Sequence, residues 1–203
     1  MAEAVGEGRQ GKRAARIEAM TQAAATLLID EGPAAITHRR VAEAAGVPSG
    51  SANYYFATSA ELYRAAVERA EQIRVAGAVS LATGLRRRER TAARTARLLL
   101  ETLYAPLLDD QVVSLRLQPI LAATADQDLG PIVAESRPRL LAALSVVLER
   151  SGWVNVAHTA DVELLARLAD ASLLYGAAVG DTDPIGDAVA AMTRVLELIG
   201  RPR

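Results

Sequence analysis

The sequence predicts an all-α protein: a small amino-terminal unit of three helices followed by a larger helical remainder, about nine helices in all. Three observations carry this. Aromatic residues make up only 3% of 203 residues while alanine and leucine dominate, a composition that favours helix over sheet. Apolar residues recur at three- and four-residue intervals along most of the chain, and Gly or Pro breaks the pattern at its boundaries. Two stretches of about two helical turns lie side by side near the amino terminus, joined by Ala45-Gly46-Val47-Pro48.

The elements follow in order. Residues 13–31 carry Ile17, Met20, Ala24, Leu27 and Leu28 on one helical face, and Gly32-Pro33 stops them. Thr37 is placed to cap a second, short helix with Val41 and Ala45 inward, which Gly46 ends. A third runs from Pro48 or Ser49 to Tyr55. Thr58 and Ser59 open a longer helix through Leu62, Ala66, Ala70 and Ile73 to about Leu81, and Gly84 breaks it. Residues 87–104 form a helix with Ala92, Ala96, Leu99 and Leu103 inward and Arg90, Arg94 and Arg97 outward. Helical stretches follow at Gln111–Thr124, with Pro119 inside, and at 131–151, with Pro138 near its start. The last two span 160–180 and 184–200.

Composition excludes several functions. There is no cysteine, hence no disulfide framework, thiolate zinc site or cysteine nucleophile. Only His38 and His158 offer imidazole, so no metal centre or cofactor is expected. No run approaches a membrane span and Met1–Gly11 lacks the apolar core of a secretory signal, so a cytoplasmic protein is expected, with no membrane partner. The net charge of −1 is unevenly spread. Residues 76–97 hold six Arg against Glu89, residues 98–203 are acidic, and Arg9, Lys12, Arg13 and Arg16 make a basic entry to the first helix.

Residues 33–56 belong together. Two short helices meet at a glycine that can adopt the left-handed conformation a sharp turn needs. Val41, Ala45, Val47 and Phe56 can wedge against the first helix, leaving Ser49, Ser51, Asn53 and Tyr54 outward, all small or hydrogen-bonding. This describes a helix-turn-helix, whose second helix enters the major groove of DNA.

The stretch ITHRRVAEAAGVPSGSANYYFATSAEL resembles the DNA-binding signature of the tetracycline-repressor-like (TetR) family. The family pattern T-x-x-x-[IV]-A-x-x-A-G-V appears as Thr37, Val41, Ala42, Ala45, Gly46 and Val47. The following G-[ST]-x-[YN]-x-[HY]-F appears as Gly50, Ser51, Asn53, Tyr55 and Phe56, with Leu62 in the next helix, and IEAMTQAAATLLIDEG matches the family's first helix. The resemblance covers about 13–73; the remainder matches in length and helical plan. It implies a flexible basic arm at 1–12, a DNA-binding domain at 13–58 and an effector-binding and dimerisation domain at 59–203. Ser59 stands where the family usually has Lys or Arg, so one electrostatic phosphate contact is expected to be missing.

Within the recognition unit, Thr37 is either a helix cap alone or also a phosphate contact. His38, Arg39 and Arg40 share the first turn of the second helix, and Arg39 or Arg40 is the candidate for bidentate readout of guanine. Gly50 permits close approach, and Ser49, Ser51 and Asn53 can bond bases or phosphates. Tyr54 and Tyr55 can pack on the first helix or reach phosphate; the resemblance puts Tyr55 in a phosphate slot and Ser59 beside it.

In the larger domain, two proline-bent helices around an aromatic-poor core suggest a cavity, and the resemblance implies a small-molecule effector site there. Leu103, Tyr104, Arg116, Gln118, Asp170 and Tyr175 are the candidate lining. In the last two helices Leu165, Leu168, Ser172, Tyr175 and Val179, and then Ile185, Val189, Met192, Leu196 and Ile199, form apolar stripes. Leu165, Leu168, Ser172, Val189, Met192 and Leu196 are the candidate homodimer contacts, completed as a four-helix bundle by a twofold mate.

The expected function is a homodimeric, ligand-responsive transcriptional regulator, a repressor bound to a palindromic double-stranded operator. The alternative is a constitutive DNA-binding protein without a ligand. An enzyme is not expected, because G-x-S-x-G, a phosphate-cradling glycine loop and paired histidines are all missing.

Overall fold

Helix signals in the sequence become eight α-helices among the described residues of the computed structural model. These residues are 2–106, 108, 109, 111, 117, 121, 122, 124 and 126–199, with the side chains of residues 2–10, Ser49, Ser51 and Thr159 outside the description. The helices are α1 (Ala2–Glu31), α2 (His38–Ala44), α3 (Ser49–Tyr55), α4 (Ser59–Gly84), α5 (Ala92–Leu103), α6 (Gly130–Arg150), α7 (Thr159–Val179) and α8 (Pro184–Ile199). The helix expected across Gln111–Thr124 falls largely outside the described residues.

Local chemistry sets most boundaries. Gly32, at φ 83°, ends α1 by donating its N–H to the Leu28 carbonyl at 3.1 Å. Thr37 caps α2, its side chain accepting from the Arg40 N–H at 3.3 Å. The turn between α2 and α3 is a Schellman motif: Val47 N–H donates to Ala42 and Gly46 N–H to Glu43, with Gly46 at φ 65°. Thr58 and Glu61 form a reciprocal capping box at the start of α4.

The backbone of residues 2–12 forms the first turns of α1. Two expectations are corrected. The helix expected from 87 starts only at Ala92, because Thr91 caps it, accepting from the Arg94 N–H at 3.2 Å. Arg90, expected to face outward, is buried. The segment 85–91 lies along the end of α6, Arg88 N–H donating to the Arg150 carbonyl and Arg90 N–H to that of Ser151. The Arg90 guanidinium donates to the Arg150 carbonyl at 2.8 Å and to the Arg86 carbonyl at 3.0 Å. Burial first, and then the charges of Arg88 and Arg94, lower its pKa. Arg150 returns the arrangement, donating to the Thr83 and Leu85 carbonyls at the end of α4. Each arginine thus satisfies backbone carbonyls that a helix end leaves open.

There are two apolar cores, and α4 belongs to both. Leu62, Ala66, Val67 and Ala70 pack with Met20, Ala24, Leu28, Val41, Ala52 and Phe56. Farther along, Val75, Ala78 and Ala82 join Leu99, Leu103, Leu144, Leu165 and Leu196. The division placed at 58/59 therefore marks the start of a shared helix, while the border between the cores lies between Ala70 and Val75. Leu129, from the segment leading into α6, is buried in the first core, so the larger domain also grips the smaller one from outside α4.

Candidate DNA-binding face and effector domain

The α2–turn–α3 unit presents one open face. Gly50, Asn53 and Tyr54 stand at positions i, i+3 and i+4 of α3, share its outward side, and are exposed. Ala52 and Phe56 turn inward and anchor the helix. A side chain at Gly50 would meet nothing within 4 Å, so glycine keeps this surface low rather than relieving a clash. Tyr54 is 74% exposed, its ring set edge-on to that of Tyr55 at 5.2 Å and 81°. Tyr55 is half-buried and its hydroxyl accepts from Arg16 of α1 at 3.5 Å. Ser49 and Ser51 occupy the first turn of α3, but their side chains lie outside the described residues. Ser59 is exposed at the start of α4.

The three residues opening α2 separate sharply. His38 Nε2–H donates to the Phe56 carbonyl at 2.9 Å, fixing the start of α2 to the end of α3. Because a carbonyl can only accept, this bond also assigns the proton to Nε2. Arg40 is held by Glu31 of α1, at 2.8 and 2.7 Å to the two carboxylate oxygens. Arg39 is exposed, with no ion pair or hydrogen bond to another described residue. Of the two arginines left open by the sequence, the geometry leaves Arg39 available, and Glu31 is the partner that sequence reasoning did not foresee.

In the larger domain the candidate lining residues part company. Leu103 and Tyr104 are buried, and the Tyr104 hydroxyl donates to Asp170 at 2.6 Å. Burial, then the Asp170 charge and hydrogen bond, hold the Tyr104 pKa well above its ordinary value of 10.0. Asp170 also accepts from Arg137, which donates on its other side to Glu163 at 3.1 Å. Burial opposes the Arg137 charge, but these two carboxylates outweigh it and raise its pKa, while the bonds from Arg137 and Arg167 lower that of Glu163. Tyr175, by contrast, is 72% exposed and faces away from this core. Arg116 and Gln118 lie outside the described residues.

A second polar chain, missed in the sequence, crosses α4. Arg74 is buried, donates to the Leu103 carbonyl at 3.2 Å and pairs with Glu71 at 2.9 Å; Glu71 accepts in turn from Ser136 of α6. The available signal was the i, i+3 spacing of the opposite charges Glu71 and Arg74. Beside it, a crevice of about 70 Å³ opens between α4 and α6, lined by Glu68, Glu71, Gln72, Glu135, Ser136 and Arg139 among others.

The dimer candidates divide likewise. Leu165, Met192 and Leu196 are buried within the protomer, where α8 packs on α7 and α5. Leu168, Ser172 and Val189 are half-buried. What stays outside is the adjoining face: Leu164, Tyr175 and Val179 on α7, and Leu198 and Ile199 on α8, all exposed. Of the α8 stripe, Ile185, Met192 and Leu196 are thus taken up by the chain's own core, while Ile199 stays outside it.

A sequence profile described as "Bacterial regulatory proteins, tetR family" matches residues 21–66, from within α1 into α4. This match makes residues 21–66 a TetR-family helix-turn-helix domain, the DNA-binding part of a bacterial regulatory protein. The multidrug binding protein EbrR complexed with proflavin is 26% identical over 89% of this chain and 99% of that one, with a TM-score of 0.58. EbrR complexed with imidazole gives 27% over 89% and 94%, at 0.54. A regulator from Mesorhizobium loti assigned to the TetR family is 20% identical over 92% and 97%, at 0.62, a likeness of fold. No curated protein matches the chain by sequence. Among the described residues no helix is long and apolar enough to cross a membrane.

Proposed function

We propose that the protein is a homodimeric repressor that binds a palindromic operator and leaves it when a small molecule occupies the larger domain. The observation that carries the DNA half is the outward face of α3, where Gly50, Asn53 and Tyr54 are open while Ala52 and Phe56 anchor the helix. The exposed stripe of Leu164, Tyr175, Val179 and Leu198 supports a twofold interface, with Leu168, Ser172 and Val189 at its margin. Such a dimer presents two recognition helices about 34–36 Å apart, one turn of duplex.

For the effector, EbrR in complex with proflavin supports an aromatic, amphipathic ligand. Tyr104 and Asp170, with Leu103, border the proposed site, and a ligand that rearranges their bonds acts on α5 and thereby on α4. Coupling of this kind is typically about 1–3 kcal/mol. The alternative, a constitutive DNA binder, is favoured by the closed packing around Leu103 and Tyr104.

The test is an electrophoretic shift at low salt with duplex DNA flanking the protein's own gene, repeated with proflavin, alongside light scattering for mass. The reading expects a dimer, a shifted band, and release by proflavin. A monomer, or no shift, overturns it; a shift that proflavin leaves intact turns the choice towards the constitutive alternative and away from this ligand class.

A further inference from the structure

We infer that Asn53 and Arg39 divide the base readout of each half-site, Asn53 taking an adenine and Arg39 a guanine, with Tyr54 against a thymine methyl beside the adenine. This rests on the DNA-binding reading above.

The recognition helix Ser49–Tyr55 carries no charged residue, so its specificity must come from amides, hydroxyls and apolar edges. On its open face the amide is Asn53. A carboxamide offers one donor and one acceptor side by side, which matches N7 and N6–H₂ of adenine; guanine presents two acceptors there and calls for two donors. Tyr54, next in sequence and largely exposed, is held edge-on by Tyr55 and so presents a fixed apolar ring. In the major groove the partner for such an edge is the thymine C5-methyl. Gly50 leaves the same face low, letting the short Asn53 side chain reach a base edge.

Guanine needs a convergent pair of donors, which arginine supplies. His38 is committed to the Phe56 carbonyl and Arg40 to Glu31. Arg39 is the guanidinium of this turn left exposed and without a partner among the described residues. Because it projects from α2 and Asn53 from α3, the two read different base pairs.

The experiment is selection from a pool of random-sequence duplexes with the full-length protein, Asn53→Ala and Arg39→Ala, followed by sequencing. Thermal melts confirm that both variants fold, as their exposure predicts. The wild type should enrich a half-site containing one adenine and one guanine, each preferred about ten- to a hundredfold over the other bases. Asn53→Ala should flatten only the adenine position, and Arg39→Ala only the guanine. The proposal is overturned if the position that Asn53→Ala flattens is a G·C pair, if both variants flatten the same position, or if Asn53→Ala weakens all sequences equally, the mark of a phosphate contact. Enrichment of one site by all three proteins alike sinks the inference and leaves the DNA-binding function standing. Failure of the wild type to enrich any sequence sinks both.

Discussion

The face around α3 and the polar chains across α4 and α5 use similar side chains to opposite ends. Around α3, Arg39 and Asn53 are exposed, their hydrogen-bonding capacity turned to the outside. Across α4 and α5, Arg74, Glu71 and Ser136, and then Tyr104, Asp170, Arg137 and Glu163, bond one another. A polar group satisfied inside the protein contributes to folding and is costly to disturb; one left open contributes nothing until a partner arrives. The two regions should therefore respond to substitution in opposite ways.

The largest effect is expected from Arg74→Met. It removes a buried cation that holds both Glu71 and the Leu103 carbonyl, and breaking such a pair costs about 3–5 kcal/mol. Urea unfolding should register this as a lower midpoint, and an unchanged midpoint would refute the buried chain. Tyr104→Phe should cost about 1.5–3 kcal/mol, since it deletes a hydrogen bond to a carboxylate. This difference carries a pH signature. The folded-state pKa of Tyr104 lies above its unfolded value of 10.0. Its contribution is thus complete below about pH 10 and falls as the pH rises toward the folded-state value, so wild type and variant should converge in melts taken at higher pH. Arg39→Ala should lower operator affinity about tenfold, roughly 1.4 kcal/mol, while leaving the melting temperature alone. Fluorescence anisotropy with a labelled duplex measures the first half of that statement. The smallest effect is expected from Arg40→Ala. It breaks an ion pair between half-exposed groups, worth about 0–1 kcal/mol, and operator affinity should change far less than for Arg39→Ala. Equal losses from the two arginines would erase the contrast drawn between them.

Helix existence was legible from the sequence because it depends on local periodicity and punctuation. Gly32, Thr37, Gly46 and Thr58 each end or begin a helix where the sequence places that event. The helix-turn-helix was legible for the same reason, its turn chemistry lying within a few residues. Long-range partnerships were not. Nothing near Arg40 in the chain distinguishes it from Arg39; the difference is Glu31, on another helix. Arg90 reads as one more solvent-facing arginine until the end of α6 is brought against it. The stripe on α8 shows that an apolar face exists but not whether its own chain or a second copy covers it, and here Met192 and Leu196 go to the chain's own core.

The Arg150 guanidinium, donating to the Thr83 and Leu85 carbonyls, ties the far end of α4 to α6, while Thr58 and Glu61 begin its other end beside the reading head. A rod of 26 residues is about 39 Å long at 1.5 Å per residue, so a tilt of about 5° about the pinned end displaces the opposite tip by about 3 Å. Clamped there, α4 has the proportions of a lever with its fulcrum as far as possible from its load.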